Sequence, residues 1–213
     1  MKIYTISGLG ADERVFQHLT LDHELIHLDW IQPLPKESLK AYALRLAEKI
    51  DTSEEFAVIG LSFGGMIATE IGIALQPSLT MLISSVETRF ELPRLYRWVG
   101  KTGILSLLPI PFFIPPTFIT KWAFDTPHTA LLFQIVRDTV PRFVRWAMHA
   151  LTRWKNERSL RSKKLKISGT RDRLLPPKKD GDYELMEGAG HFMIVDRAEE
   201  VSLVIEKALK GVA

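Results

Sequence analysis

Residues 56–68 constrain this chain more than any other stretch. Phe56, Ala57, Val58 and Ile59 form a short apolar run that empties into Gly60-Leu61-Ser62-Phe63-Gly64. The chain then passes straight into a helical pattern through Gly65, Met66, Ile67 and Ala68. The pattern predicts a strand, a sharp turn and a helix, with Ser62 at the turn. So tight a turn strains the serine backbone and lifts its hydroxyl clear of the end of a sheet. Side chains at 60 and 64 would collide across it, so glycine suits both positions. A serine held this way is a candidate nucleophile. The plain alternative is an ordinary turn with a solvated serine.

Two further segments bear on that choice. Lys166, Ile167, Ser168 and Gly169 lead through Thr170 and Arg171 to Asp172, a second apolar strand emptying into an acid. Glu184, Leu185 and Met186 lead through Glu187-Gly188-Ala189-Gly190 to His191, a strand ending in glycines and a histidine. The chain order is therefore Ser62, Asp172, His191. Three motifs in this order, each at a strand end, resemble the α/β-hydrolase superfamily, and within it the lid-bearing serine esterases. The resemblance covers nearly the whole chain except the middle third. It implies Ser62 as nucleophile, His191 as base and Asp172 as the acid that orients the histidine. Glu87, just past the fourth predicted strand, is the alternative acid, since some similar enzymes place it there.

A chain of 213 residues is most simply one domain with a sizeable core. Apolar residues make up 46% and charged residues 25%, as in ordinary soluble proteins. The absence of cysteine excludes a disulfide framework, a thiolate metal site and a cysteine nucleophile. It fits a reducing compartment, and a cytoplasmic protein is expected. The first residues lack an apolar stretch long enough for a signal peptide. The longest apolar stretch, 104–119, is interrupted by Pro109, Pro111, Pro115 and Pro116 and is shorter than the ~20 residues of a membrane span. No stable membrane insertion is expected.

The net charge of +3 hides an asymmetry. Residues 87–164 hold fourteen Lys/Arg against five Asp/Glu, while the rest holds fourteen against twenty. The basic residues alternate with aromatics and prolines in no nucleic-acid motif, so a nucleic-acid partner is not expected. A solvated surface is the plain reading, and attraction of an anionic substrate or membrane the sharper one.

Strands are predicted at 2–6, 25–30, 56–61, 79–83, 165–168 and 183–186. Helices are predicted from a Ser38 cap through Ile50, at 64–75 and at 196–209. Alternating strands and helices imply a doubly wound, mostly parallel sheet of about six strands, in the order 2-1-3-4-5-6. The first strand corresponds to the superfamily's third, so the usual leading hairpin is missing. The core is assigned to 1–86 and 165–213, and a helical lid to 87–164. Within the lid, helices are expected near Pro127 and Pro141. On the second, Phe143, Ala147, Ala150, Leu151 and Trp154 share one face, and Arg142, Arg145, His149 and Arg153 another. Some of the lid's aromatics should line the active cavity.

The winding reverses between strands one and three, so the loop 7–12 should adjoin Ser62. The backbone N–H groups of Leu9 and Phe63 are the candidate donors to a tetrahedral oxyanion. Superfamily members usually have His-Gly where this chain has Ser7-Gly8, which leaves open how the loop is fixed. His18, His23, His27, His128 and His149 match no metal spacing, and no phosphate or dinucleotide loop is present, so no cofactor or metal is expected. The expected substrate is a small or medium, largely apolar ester or thioester. A C–C hydrolase or lyase, an acyltransferase and a non-catalytic binding protein remain as alternatives. The oligomeric state is not legible.

Overall fold

The computed structural model describes residues 1–113 and 116–212, without the side chains of Ile110 and Pro111. Pro115, in the apolar stretch above, lies outside the described residues. The strands are β1 (Lys2–Ile6), β2 (Glu24–His27), β3 (Phe56–Leu61), β4 (Leu79–Ile83), β5 (Lys164–Gly169) and β6 (Glu184–Met186). The helices are α1 (Leu39–Ala47), α2 (Phe63–Leu75), α3 (Arg94–Thr102), α4 (Thr117–Phe124), α5 (Thr129–Asp138), α6 (Pro141–Thr152), α7 (Met193–Asp196) and α8 (Ala198–Lys210).

All strand pairs are parallel, in the order β2-β1-β3-β4-β5-β6. This is the order that the alternation of elements predicts. A parallel sheet covered on both faces needs strands apolar on both sides, and every residue of β3 is buried. Along β3 the side chains divide by parity. Phe56 and Val58 join the cluster under α1 and α2, while Ala57, Ile59 and Leu61 join the one under α7 and α8. Each fully buried aliphatic side chain contributes ~1.5–3 kcal/mol relative to exposure.

Ser38 caps α1 as expected, its side chain accepting from the Ala41 N–H at 3.1 Å. Several boundaries depart from expectation, and α1 ends at Ala47 rather than Ile50. β2 ends at His27 rather than Trp30, because the indole leaves the sheet edge. Trp30 packs on Phe143 and Phe63 and donates to the Ala11 carbonyl at 2.8 Å. The helix near Pro127 starts only at Thr129, with His128 as its cap. The closing helix is broken at Arg197, whose backbone (φ −131°) is not helical. Asp196 there accepts from Thr126 Oγ1 at 2.6 Å and pairs with His128, tying the break to the start of α5.

Among the described residues, four helices and two short 3-10 turns lie between β4 and β5. Their anchoring is graded. The predicted apolar face of α6 is buried, and Trp154 donates to Glu70 of α2 at 2.7 Å. Trp146 donates to the Glu37 carbonyl at 3.0 Å. By contrast α3 has no buried residue, and α4 has only Thr120 and Ala123. No helix among the described residues is long and apolar enough to cross a membrane.

Candidate active site

The site is built where β1, β3, β5 and β6 end. Ser62 sits between β3 and α2 with φ 52° and ψ −117°, the strained conformation that the flanking glycines predict. A Cβ on Gly64 would strike the carbonyls of Ile6 and Ser7, and one on Gly60 would strike Gly64 and Gly65. Three hydrogen bonds hold the strain in place. Ser62 N donates to Ile83 O at 2.9 Å, and Ser62 O accepts from Gly65 N at 3.0 Å. It also accepts from Ser85 Oγ at 2.6 Å.

His191 follows β6, and Asp172 follows β5. Their loops are stitched together by Thr170 N to Met186 O (3.1 Å) and Arg171 N to Ala189 O (2.9 Å). His191 Nε2 lies 2.9 Å from Ser62 Oγ, and its Nδ1 lies 2.7 Å from Asp172 Oδ2. With Nδ1–H donating to the carboxylate, Nε2 is left to accept from the serine hydroxyl. The other carboxylate oxygen accepts from the N–H groups of Leu174 and Leu175, both at 2.9 Å. Burial by itself would raise the pKa of Asp172. The charge of His191, its hydrogen bond and the two amides outweigh that and hold the carboxyl below its usual range.

Glu87, the alternative acid, is engaged elsewhere. It accepts from Leu160 N at 2.7 Å and from Lys164 Nζ at 2.8 Å. The structure thus brings Asp172, and not Glu87, to His191.

The loop after β1 lies against the serine, since a Cβ built on Gly8 would stand 3.6 Å from Ser62 Cβ. Ser7, where the resemblance leads one to expect a histidine, is fully buried and donates to the Ala11 carbonyl at 2.7 Å. Thr139 Oγ1 grips the loop from above, 2.6 Å from Gly10 O. Among the described residues, neither Leu9 N nor Phe63 N has a protein acceptor. Both N–H groups are therefore available to a ligand.

A cavity of about 210 Å³ opens on Ser62 and His191. Its walls include Leu9, Phe113, Phe124, Leu132, Val144 and Met148. Of the aromatics between residues 87 and 164, Tyr96, Phe113 and Phe124 line it, and among the described residues no tryptophan there does. Phe124 also sets its ring edge-on to His191, with centroids 5.4 Å apart. No lysine or arginine lines the cavity among the described residues. The arginine face of α6 lines a different groove, against the 30–40 loop. That face is therefore not placed to meet a substrate charge in the cavity. Tyr96, Thr120 and Thr139 also line the walls, with the threonine hydroxyls donating to the carbonyls of Pro116, Gly10 and Ile135. Sequence reasoning missed them, because nothing in local spacing distinguishes a cavity-lining residue from any other. No group of three His, Asp or Glu placed to hold a metal occurs among the described residues.

The model of the alpha/beta hydrolase family matches residues 4–202. The chain belongs to that family. Solved structures share its fold at low identity. MenH from S. aureus is 18% identical, with a TM-score of 0.73 over 100% of this chain and 94% of that one. A thermophilic esterase from Thermogutta terrifontis is 17% identical, with a TM-score of 0.69 over 100% and 90%. A non-heme bromoperoxidase described as putative, from Mycobacterium tuberculosis H37Rv, is 16% identical, with a TM-score of 0.70 over 100% and 92%. No curated protein matches the chain significantly. At these identities the likeness speaks for the fold alone.

Proposed function

We propose that this family member is a serine hydrolase that cleaves the ester or thioester bond of a small to medium, largely apolar acyl compound. The observation that carries the reading is the hydrogen-bonded chain from Ser62 through His191 to Asp172, opening on an apolar cavity. Ser62 Oγ attacks the carbonyl carbon while His191 Nε2 takes its proton. The carbonyl oxygen becomes an oxyanion and is met by the N–H groups of Leu9 and Phe63. The intermediate collapses to an acyl-Ser62 ester, and His191 returns the proton to the departing alcohol or thiol. Water, deprotonated by His191, then attacks the acyl-enzyme, and His191 returns that proton to Ser62 Oγ as the acid is released. Asp172 holds the imidazole tautomer and stabilises the imidazolium throughout.

Residues 87–164 act as the lid in this reading. They supply the cavity's roof through Tyr96, Phe113, Thr120 and Phe124, and exclude water from the acyl chain. A cytoplasmic place of action is part of the reading and rests on the cysteine-free sequence.

The test is covalent. A fluorophosphonate should add one adduct, mapped by peptide mass to Ser62, and Ser62→Ala should take none. Hydrolysis of p-nitrophenyl esters should vanish with the same substitution. Equal labelling of Ser62→Ala would overturn the assignment.

A further inference from the structure

Between residues 92 and 124 the chain has no aspartate or glutamate but four cations, Arg94, Arg97, Lys101 and Lys121. The same stretch is unusually rich in exposed apolar side chains. Leu95, Trp98, Leu107, Phe112, Phe118 and Trp122 are each between 60% and 84% exposed. Isolated apolar residues on a surface are ordinary, but a concentration of this kind marks an interaction site.

Geometry puts five of these six, all but Leu107, on one side of the molecule. Tyr96 of α3, Phe113 of the turn Ile110–Phe113, and Thr120 and Phe124 of α4 all face the same cavity over Ser62. Their exposed neighbours, Leu95 and Trp98, Phe112, and Phe118 and Trp122, therefore lie on the outer side of the same roof. Leu95 and Trp98 are three residues apart on α3, and Phe118 and Trp122 four apart on α4, so each pair shares a helix face.

We infer that this outer face binds the surface of an anionic lipid bilayer, as a peripheral contact and not a span. Charge complementarity selects that occupant. A symmetric second copy would set the exposed cations Arg94, Lys101 and Lys121 against their own copies, and Asp125, the acid beside Lys121, is already paired with Arg171 and Arg173. An anionic headgroup layer offers negative charge to the cations and an apolar boundary to the aromatics and leucines beside them. The tryptophans suit that boundary, having an apolar body and a polar N–H.

The experiment is co-sedimentation of the full chain with vesicles of phosphatidylcholine alone or with 30% phosphatidylglycerol, at low and high salt. The protein should pellet with the anionic vesicles at low salt, and at least tenfold less with the neutral ones or at 0.5 M salt. Leu95→Ser/Phe112→Ser/Phe118→Ser should weaken binding to anionic vesicles at least tenfold. None of the three lines the cavity, and an unchanged circular dichroism spectrum and Tm would show that the variant folds. Arg94→Glu/Lys101→Glu/Lys121→Glu should abolish the preference for anionic lipid. The inference is overturned if the wild type pellets with neither vesicle or equally with both. It is also overturned if the folded triple serine variant binds as well as wild type. A wild-type dimer that those serines dissociate, seen by light scattering without vesicle binding, would make the occupant a second copy instead.

Discussion

Ser85 Oγ donates a 2.6 Å hydrogen bond to the carbonyl of Ser62, tying the end of β4 to the strained turn at the end of β3. The bond acts on the backbone of the proposed nucleophile and not on its hydroxyl. It opposes relaxation of a positive φ that a side chain other than glycine resists. Ser85→Ala should therefore cost about 1 kcal/mol of stability. If part of that loss appears as misplacement of Oγ, kcat should fall by roughly three- to tenfold with KM little changed. Steady-state kinetics on a soluble ester, paired with urea unfolding, would check both numbers.

Asp172 and Glu87 should separate cleanly. Asp172→Asn leaves the cavity intact but offers an amide to His191 Nδ1, which favours the wrong tautomer. A drop in kcat on the order of 10⁴ is expected in a variant that still folds, far more than its loss of stability explains. Glu87→Gln removes the charge from a buried contact with Lys164 and should cost roughly 1–3 kcal/mol of stability with turnover retained. Turnover abolished in Glu87→Gln and retained in Asp172→Asn would reverse the roles.

Stability should depend on pH through Asp172. Its carboxyl titrates lower in the folded chain than in the unfolded one. Below its unfolded pKa the unfolded chain binds more protons, so acid favours unfolding. The contribution of Asp172 is fully present above the ordinary carboxylate pKa, and it is lost as pH falls from there through the folded value. The stability difference between wild type and Asp172→Asn, measured by urea unfolding from pH 6 down to pH 2, should therefore shrink with acid. A difference that stays constant over that range would contradict it.

The cavity predicts chain-length selectivity. About 210 Å³ is the space of roughly seven water-sized groups at ~30 Å³ each. Each methylene buried should add up to ~0.8 kcal/mol, or about fourfold in kcat/KM, until the space is filled. The rise should run from acetyl to an acyl chain of about six to eight carbons and then stop. Met148→Ala enlarges the wall and should move the optimum to longer chains. A flat profile from acetyl to decanoyl esters would contradict the assignment of this cavity to the acyl group.

The strand–turn–helix around Ser62 was legible because its causes are local. A buried apolar run, two glycines and a helical period lie within thirteen residues of one another, and the φ of 52° follows from them. Sheet order was legible for a similar reason, since strands alternating with helices leave few parallel windings, even across the long β4–β5 link. Loop fixation was not. Ser7 reaches Ala11 only when the chain folds back on itself, and Thr139 arrives from α5, far along the sequence.

Sequence alone determined which residue types stand at the ends of β3, β5 and β6, and in what order, because strand ends are marked by apolar runs meeting glycine. Tertiary structure decided what those residues and the middle third face. It bonded His191 to Asp172 and turned Glu87 toward Lys164, though both acids follow strands. It turned Phe113 and Phe124 into the cavity and left Phe112 and Trp122 in solvent, and it aimed the arginines of α6 into another groove. Helical spacing says which side chains share a face. Only the packing of that helix against the sheet says what the face meets.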